Sequence, residues 1–125
     1  MKKNIPILLS GLLMMGCGSP AKTESYRQIS MDDAIIMMEK ETDYLIVDVR
    51  TPEEFWGGHI PGSSNLPLDC IEGAELVIGE KDRPDYVYCH SGSRSRQAAV
   101  LLKQLGFTRV KNIGGIASWK GEVER

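Results

Sequence analysis

Cysteine is scarce in this chain: Cys17, Cys70 and Cys89 are the only three in 125 residues. Three thiols cannot build a four-cysteine metal site or the six-cysteine framework that holds many small secreted domains together. The core must therefore come from apolar burial. A positive field is also missing. Lys and Arg number 15 against 17 Asp and Glu, a formal net charge of −2, and that balance argues against nucleic acid as the main partner. No apolar run is long enough to cross a bilayer comfortably as a lasting helix. What is present is ordinary for a soluble globular protein: 42% hydrophobic and 26% charged residues, in a length that fits one domain.

The two ends of the chain differ. Met1-Lys2-Lys3 is a short positive start, and residues 5–15 are an apolar run closed by Gly16. That order is the order of a secretory signal peptide, so residues 1–16 are set aside from fold reasoning. Met14-Met15-Gly16-Cys17 resembles the bacterial lipobox. The resemblance implies that Cys17 is lipidated and becomes the new N-terminus. A transmembrane anchor, or a cleaved signal with an incidental cysteine, is the alternative. One acyl chain anchors weakly, and a diacylated Cys17 would meet the need for more than one. Residues 17–25 then read as the lipidated Cys and a small-residue tether, and residues 26–125 as the folded domain. A chain starting at Cys17 carries 13 positive and 17 negative charges, or −4, which favours solubility over contact with anionic lipid. The expected location is outside the cytoplasmic membrane, held there through lipid alone.

Strands and helices alternate in the remainder. Residues 26–29 suit a short strand. Ser30 suits a helix N-cap with Asp32 and Asp33 in the first turn, and Met31, Ala34, Ile35 and Met38 share one helix face. Residues 44–49 form a nearly continuous apolar run, as in a strand buried on both faces of a parallel sheet. Thr51-Pro52-Glu53-Glu54 carries an N-cap, a first-position Pro and a capping-box Glu. Asn65-Leu66 suits a strand, residues 71–78 a helix and residues 81–85 a polar loop. Residues 86–88 are a strand rich in aromatic and β-branched side chains. Residues 93–105 make the best helix, with Ala98, Leu101, Leu102 and Leu105 on one face and Gly106 as its C′ residue. Residues 109–113 form the last strand, and Gly114-Gly115 turns into a short helix carrying Ile116 and Trp119. The order predicts an α/β sandwich around a mostly parallel sheet.

One segment carries chemistry. The strand ending at Tyr88 is followed by Cys89-His90-Ser91-Gly92-Ser93-Arg94 and then by the long helix. Ligands of open parallel sheets bind beyond the carboxyl ends of strands, where Cys89 stands. The following residues are small and can curl tightly, with Gly92 free to take backbone angles closed to others. A curled loop at a helix N-terminus turns its N–H groups inward and makes an anion cradle. The same field favours thiolate over thiol and makes Cys89 a nucleophile near neutral pH. Arg94 adds a fixed charge suited to a sulfonate or similar oxyanion. Cys89 and His90 are neighbours and not spaced as metal ligands, so no metal and no organic cofactor are expected.

The chain resembles the single-domain rhodanese-like sulfurtransferases. The likeness runs through residues 45–55, residues 58–68, Tyr88 to Ser95, and Gly114-Gly115 with Trp119. It implies the rhodanese-like three-layer sandwich, with a mostly parallel five-stranded sheet flanked by helices. It also implies a Cys89 that carries sulfur as a persulfide, with a substrate cradle at His90, Ser91, Gly92, Ser93 and Arg94. Related phosphatases and arsenate reductases use a loop one residue longer, and Ser95 stands where their Arg would fall; the span from Cys89 to Arg94 favours sulfur transfer. The expected partners are a small sulfur-containing anion and a thiol or cyanide acceptor, with a redox or sulfur-accepting protein as a further possibility. A sulfur-carrier or anion-binding module, and a phosphatase or arsenate reductase, are the competing readings.

Asp48, Arg50 and His59 allow two roles, acid-base help or a buried polar network supporting the strand ends; the network is favoured because buried polar groups need partners. His90 either tunes Cys89 or is simply exposed. Cys70 is expected to be a plain, poorly exposed thiol rather than one that resolves Cys89. Trp56 and Trp119 read as packing or rim residues, Arg96 as solvent-facing, and residues 122–125 as a solvated tail.

Overall fold

The computed structural model describes residues 26–125. The expected signal peptide, the expected lipid attachment at Cys17 and the expected tether fall on residues 1–25, outside the described residues. Strand β1 (Arg27–Gln28) leads to Ser30, whose hydroxyl accepts from Asp33 N and caps helix α1 (Met31–Glu39). Strand β2 (Leu45–Asp48) follows. The expected capping box opens helix α2 (Pro52–Trp56): Thr51 and Glu54 satisfy each other's backbone N–H, and the helix stops at Gly57. Beyond it come strand β3 (Ser64–Asn65) and then a 3-10 helix, Leu68–Gly73, running into the single turn α3 (Ala74–Val77). The continuous helix expected over residues 71–78 is thus divided between the end of the 3-10 helix at Gly73 and α3 from Ala74, and a kink at Cys70 precedes it. Strand β4 (Asp85–Cys89), helix α4 (Ser93–Gln104), strand β5 (Val110–Gly115) and a last 3-10 turn, Ile116–Ser118, complete the chain.

The five strands form one sheet in the order β1-β5-β4-β2-β3, and each pairing is parallel. Strand β4 is central and buried along its whole length. Alternation along it feeds two cores, one on each face. Tyr86 and Tyr88 join Ile46, Ile113, Met31 and Ala34 under α1. Val87 and Cys89 join Val47, Val110, Phe107 and the α4 residues Ala98, Ala99 and Leu102 on the opposite face. This is the three-layer sandwich that the alternating pattern predicts.

Four local expectations change. Residues 114–115 do not turn; they extend β5. The β4–β5 ladder slips so that Val87 faces Asn112 but Cys89 faces Gly115, and the extra residue is absorbed as a bulge beside the reactive loop. The buried stripe of α4 is Ser95, Ala98, Ala99 and Leu102, while Leu105 is 40% exposed. Residues 122–125 are exposed but not free: Glu124 and His59 exchange backbone hydrogen bonds at 2.8 and 2.9 Å, and Arg125 Nε donates to Gly57 O. Finally, Asp85 belongs to β4 rather than to a polar loop. A carboxylate there is not signalled by strand propensity.

Asp85 is fully buried, and neither carboxylate oxygen has a hydrogen-bond partner among the described residues. Burial pushes its pKa up to about 7, against the opposing pull of Arg83 and Lys111. The folded state therefore holds this proton over a pH range in which the unfolded chain has released it. Stability from this group is full below the ordinary carboxylate range and is lost as pH rises through about 7. Urea titrations should show unfolding free energy falling by on the order of 2–4 kcal/mol between pH 4 and pH 8, and Asp85→Asn should flatten that fall.

Candidate active site

Cys89 ends the central strand, and the loop after it folds back over its own sulfur. Gly92 makes this possible: at φ +112° it lies in the left-handed region, open to glycine at little cost. The turn aims Gly92 N at Cys89 Sγ at 3.0 Å. Gly92 is also the N-cap residue of α4, so the first N–H groups of the helix share the same concavity. Burial alone would push the Cys89 thiol up. The Ser95 hydroxyl and the amides of Ser95, Gly92 and Ser91 outweigh that, and the thiol sits below its ordinary value. Sequence reasoning placed the cradle on residues 90–94; the donors that reach the sulfur come from Ser91, Gly92 and Ser95. The Cys89 residue is 1% exposed, while His90, Ser91 and Ser93 around it are exposed.

Ser95 was not among the candidate residues. It is fully buried. The Cys89 thiol donates to Ser95 Oγ at 3.5 Å, and Ser95 Oγ in turn donates to Asn112 Oδ1 at 2.7 Å. Asn112 Oδ1 also accepts from Gly114 N, and Asn112 Nδ2 donates to Gln28 Oε1. A polar chain thus runs from the nucleophile on β4, through α4 and β5, to the edge strand β1. When Cys89 ionises, the Ser95 hydroxyl can turn its one proton to the sulfur. The signal was in the pattern: Ser95 stands three and four residues ahead of Ala98 and Ala99, on the buried stripe.

Arg94 is engaged elsewhere. Its guanidinium takes both oxygens of Glu54, Nη1 to Oε1 at 2.8 Å and Nη2 to Oε2 at 3.0 Å. Glu54 Oε1 accepts from Thr51 N as well, so the α2 capping box and the first turn of α4 are tied together above the loop. The Arg94 hydrogen bonds hold the Glu54 carboxyl down at about 2. Arg96 is exposed, as expected.

Asp48 and Arg50 lie together at the end of β2. Asp48 is fully buried and Arg50 is 5% exposed. The carboxylate accepts from Arg50 N at 2.9 Å, Nε at 3.1 Å and Nη2 at 2.7 Å, and Nη2 also reaches Gly58 O. Asn65 Nδ2 ties the carbonyls of Asp48 and Arg50 together. His59 is buried, stacked on Phe55 at 3.8 Å between ring centroids, and its Nδ1 donates to Phe55 O at 2.9 Å. The Nε2 atom faces Glu124 at 3.5 Å. Each of these polar groups has a partner in the scaffold, and none of the bonds described for them runs to Cys89. Cys70 is exposed, not poorly exposed as expected, because the 3-10 helix turns it outward. Trp56 is 65% exposed and Trp119 is half-buried, donating to Glu122 O. Among the described residues, no group of three His, Cys, Asp or Glu side chains is placed to hold a metal ion.

A parallel α/β sheet with a cysteine at the end of its central strand, its thiol shifted below the ordinary value by a hydroxyl and inward amides, defines a site for thiolate chemistry on a small anionic or sulfur-bearing group. The rhodanese-like domain family model matches residues 30–122, and the chain belongs to that family. It is 46% identical over 78 residues to a protein named sulfurtransferase from Allochromatium vinosum, covering 62% of this chain and 72% of that one. It is 35% identical over 107 residues to the putative sulfur carrier protein YrkF of Bacillus subtilis, covering 85% of this chain. The chain spans 57–63% of the length of the first curated relatives it matches. Among solved structures, a rhodanese-like domain protein from Staphylococcus aureus superposes with a TM-score of 0.70 at 30% identity, covering 78% of this chain and 96% of that one. Sulfur transfer is therefore the chemistry this family membership supports.

Two substitutions separate support from chemistry. Asp48→Ala leaves the Arg50 charge buried without its partner and should cost about 3–5 kcal/mol of stability, read from the urea midpoint. Ser95→Ala should leave stability less affected but move the pH profile of Cys89 alkylation by iodoacetamide upward, slowing the reaction several-fold at neutral pH.

Proposed function

We propose that the chain is an exported, lipid-anchored sulfurtransferase that moves sulfane sulfur, from a donor such as thiosulfate to a thiol or cyanide acceptor, through a persulfide on Cys89. The observation that carries the reading is the Gly92 amide on Cys89 Sγ at 3.0 Å, which together with the Ser95 hydroxyl and the Ser95 and Ser91 amides holds the thiol down against burial. In the first step the Cys89 thiolate attacks the outer sulfur of the donor. The new S–S bond forms as the donor's own S–S bond breaks, and the electron pair leaves on sulfite. The inward amides that favour the thiolate also suit the terminal sulfur of the persulfide, since donors fixed in advance need no reorganisation when charge arrives. In the second step the acceptor attacks that terminal sulfur and Cys89 leaves as thiolate.

Asp48, Arg50 and His59 act in this reading as supports that fix the strand ends and the segment after α2. Export and lipid attachment rest on the N-terminal pattern and on Met14-Met15-Gly16-Cys17. An acyl mass on Cys17 at the mature N-terminus would establish the anchor, and an unprocessed Met1 would refute it. A second reading, a carrier that delivers persulfide to a partner protein with little turnover, draws on the likeness to YrkF.

Given thiosulfate and cyanide, the full chain in detergent should release thiocyanate, and Cys89→Ser should abolish the release. Mass spectrometry should find a gain of about 32 Da on Cys89 after donor treatment. A persulfide without thiocyanate favours the carrier; neither product overturns sulfur transfer.

A further inference from the structure

Glu54 has no part in the cradle, yet it is the residue that takes Arg94 away from it. Arg94 is the one permanent cation of the loop from Cys89 to Arg94, and both of its outer nitrogens are spent on the Glu54 carboxylate. The other guanidinium near the site, Arg50, is spent on Asp48 in the same way. The charges felt at Arg94 are those of Glu54, Cys89 and Asp48. Two cations thus meet two carboxylates, and the Cys89 thiolate tips the local sum to negative. Within the loop itself, what remains to attract an anion is a set of backbone dipoles.

We propose that Glu54 is a specificity-determining residue: by neutralising Arg94 it makes the cradle favour sulfane donors of single negative charge over dianionic donors such as thiosulfate, which it still accepts more slowly. The inference rests on the sulfur-transfer reading above and narrows its donor class. The chemistry is the same for both donors. A thiosulfonate and thiosulfate each surrender their outer sulfur to the Cys89 thiolate, the S–S bond to Cys89 replacing the donor's S–S bond. The electron pair departs on sulfinate in one case and on sulfite in the other, so no outside oxidant or reductant is needed. Only the charge brought to the thiolate differs. The pair is half-exposed, with both side chains 35% accessible, so it meets an approaching donor without being sealed in the core. A Glu54 that merely steadies α2 and α4 would treat both donors alike; a charge selector separates them, because repulsion scales with donor charge.

The test follows persulfide formation on Cys89 in the full chain in detergent, with thiosulfate and with the methanethiosulfonate anion. Glu54→Gln keeps the shape and removes the charge. It should raise the thiosulfate-to-thiosulfonate rate ratio by about threefold or more. In the wild type, added sodium chloride should speed loading by thiosulfate, and more steeply than loading by the thiosulfonate, since salt screens repulsion. If Glu54→Gln fails to fold, Glu54→Ala is read in its place with the same rise in ratio expected, and Glu54→Asp, which keeps the charge, should leave the ratio near the wild-type value. An unchanged or lowered ratio in a folded Glu54→Gln protein, or wild-type thiosulfate loading that slows with salt, overturns the proposal while leaving sulfur transfer standing. Failure of both donors to load Cys89 overturns sulfur transfer itself.

Discussion

A sulfur atom at the end of a buried strand is stable as an anion only if something replaces the water it has lost. Here the replacement is the backbone of its own loop. The Gly92 N–H at 3.0 Å from Cys89 Sγ requires a left-handed residue at position 92, a helix starting immediately after it, and a strand that delivers Cys89 to the same point. The central place of β4, the two cores that clamp it and the N-terminus of α4 all serve that one contact. Without the Ser95 hydroxyl and the amides of Ser95, Gly92 and Ser91, desolvation would dominate and Cys89 would be one more small apolar residue in the core it already belongs to.

Two acid–guanidinium pairs stand near this loop, and burial gives them different work. Asp48 and Arg50 are removed from water, so the pair is rigid and its loss leaves an unpaired charge in a dry place. Glu54 and Arg94 keep contact with solvent. Surface pairs of that kind add little to stability, but they fix where charge stands. One pair holds the frame and the other shapes the field at the entrance.

Much of this was legible in the chain. The capping box at Thr51, the N-cap at Ser30, the apolar run of β2 and the small-residue turn after Cys89 each rest on local rules, and local rules survive folding. The misses have a common cause. Ser95, Asn112 and Gln28 are linked across three elements, and hydrogen bonds spanning 17 and 84 positions leave no local trace. Asp85 reads as loop because strand propensity disfavours a carboxylate, and only the sheet shows that its backbone is needed in the ladder. The engagement of Arg94 by Glu54 spans 40 positions. Sequence spacing identified both residues but not that they meet.

The bulge in β5 brings the backbone of Gly115 so close under the loop that a side-chain carbon there would stand 1.9 Å from His90 O. The position of the loop after Cys89 is therefore set from below by a segment far along the chain, and not by the loop's own residues alone. Lengthening the loop to admit a bulkier tetrahedral group would leave its floor where it is. A change of reaction class on this framework would have to remodel two separated stretches together, which makes it hard to reach by single steps.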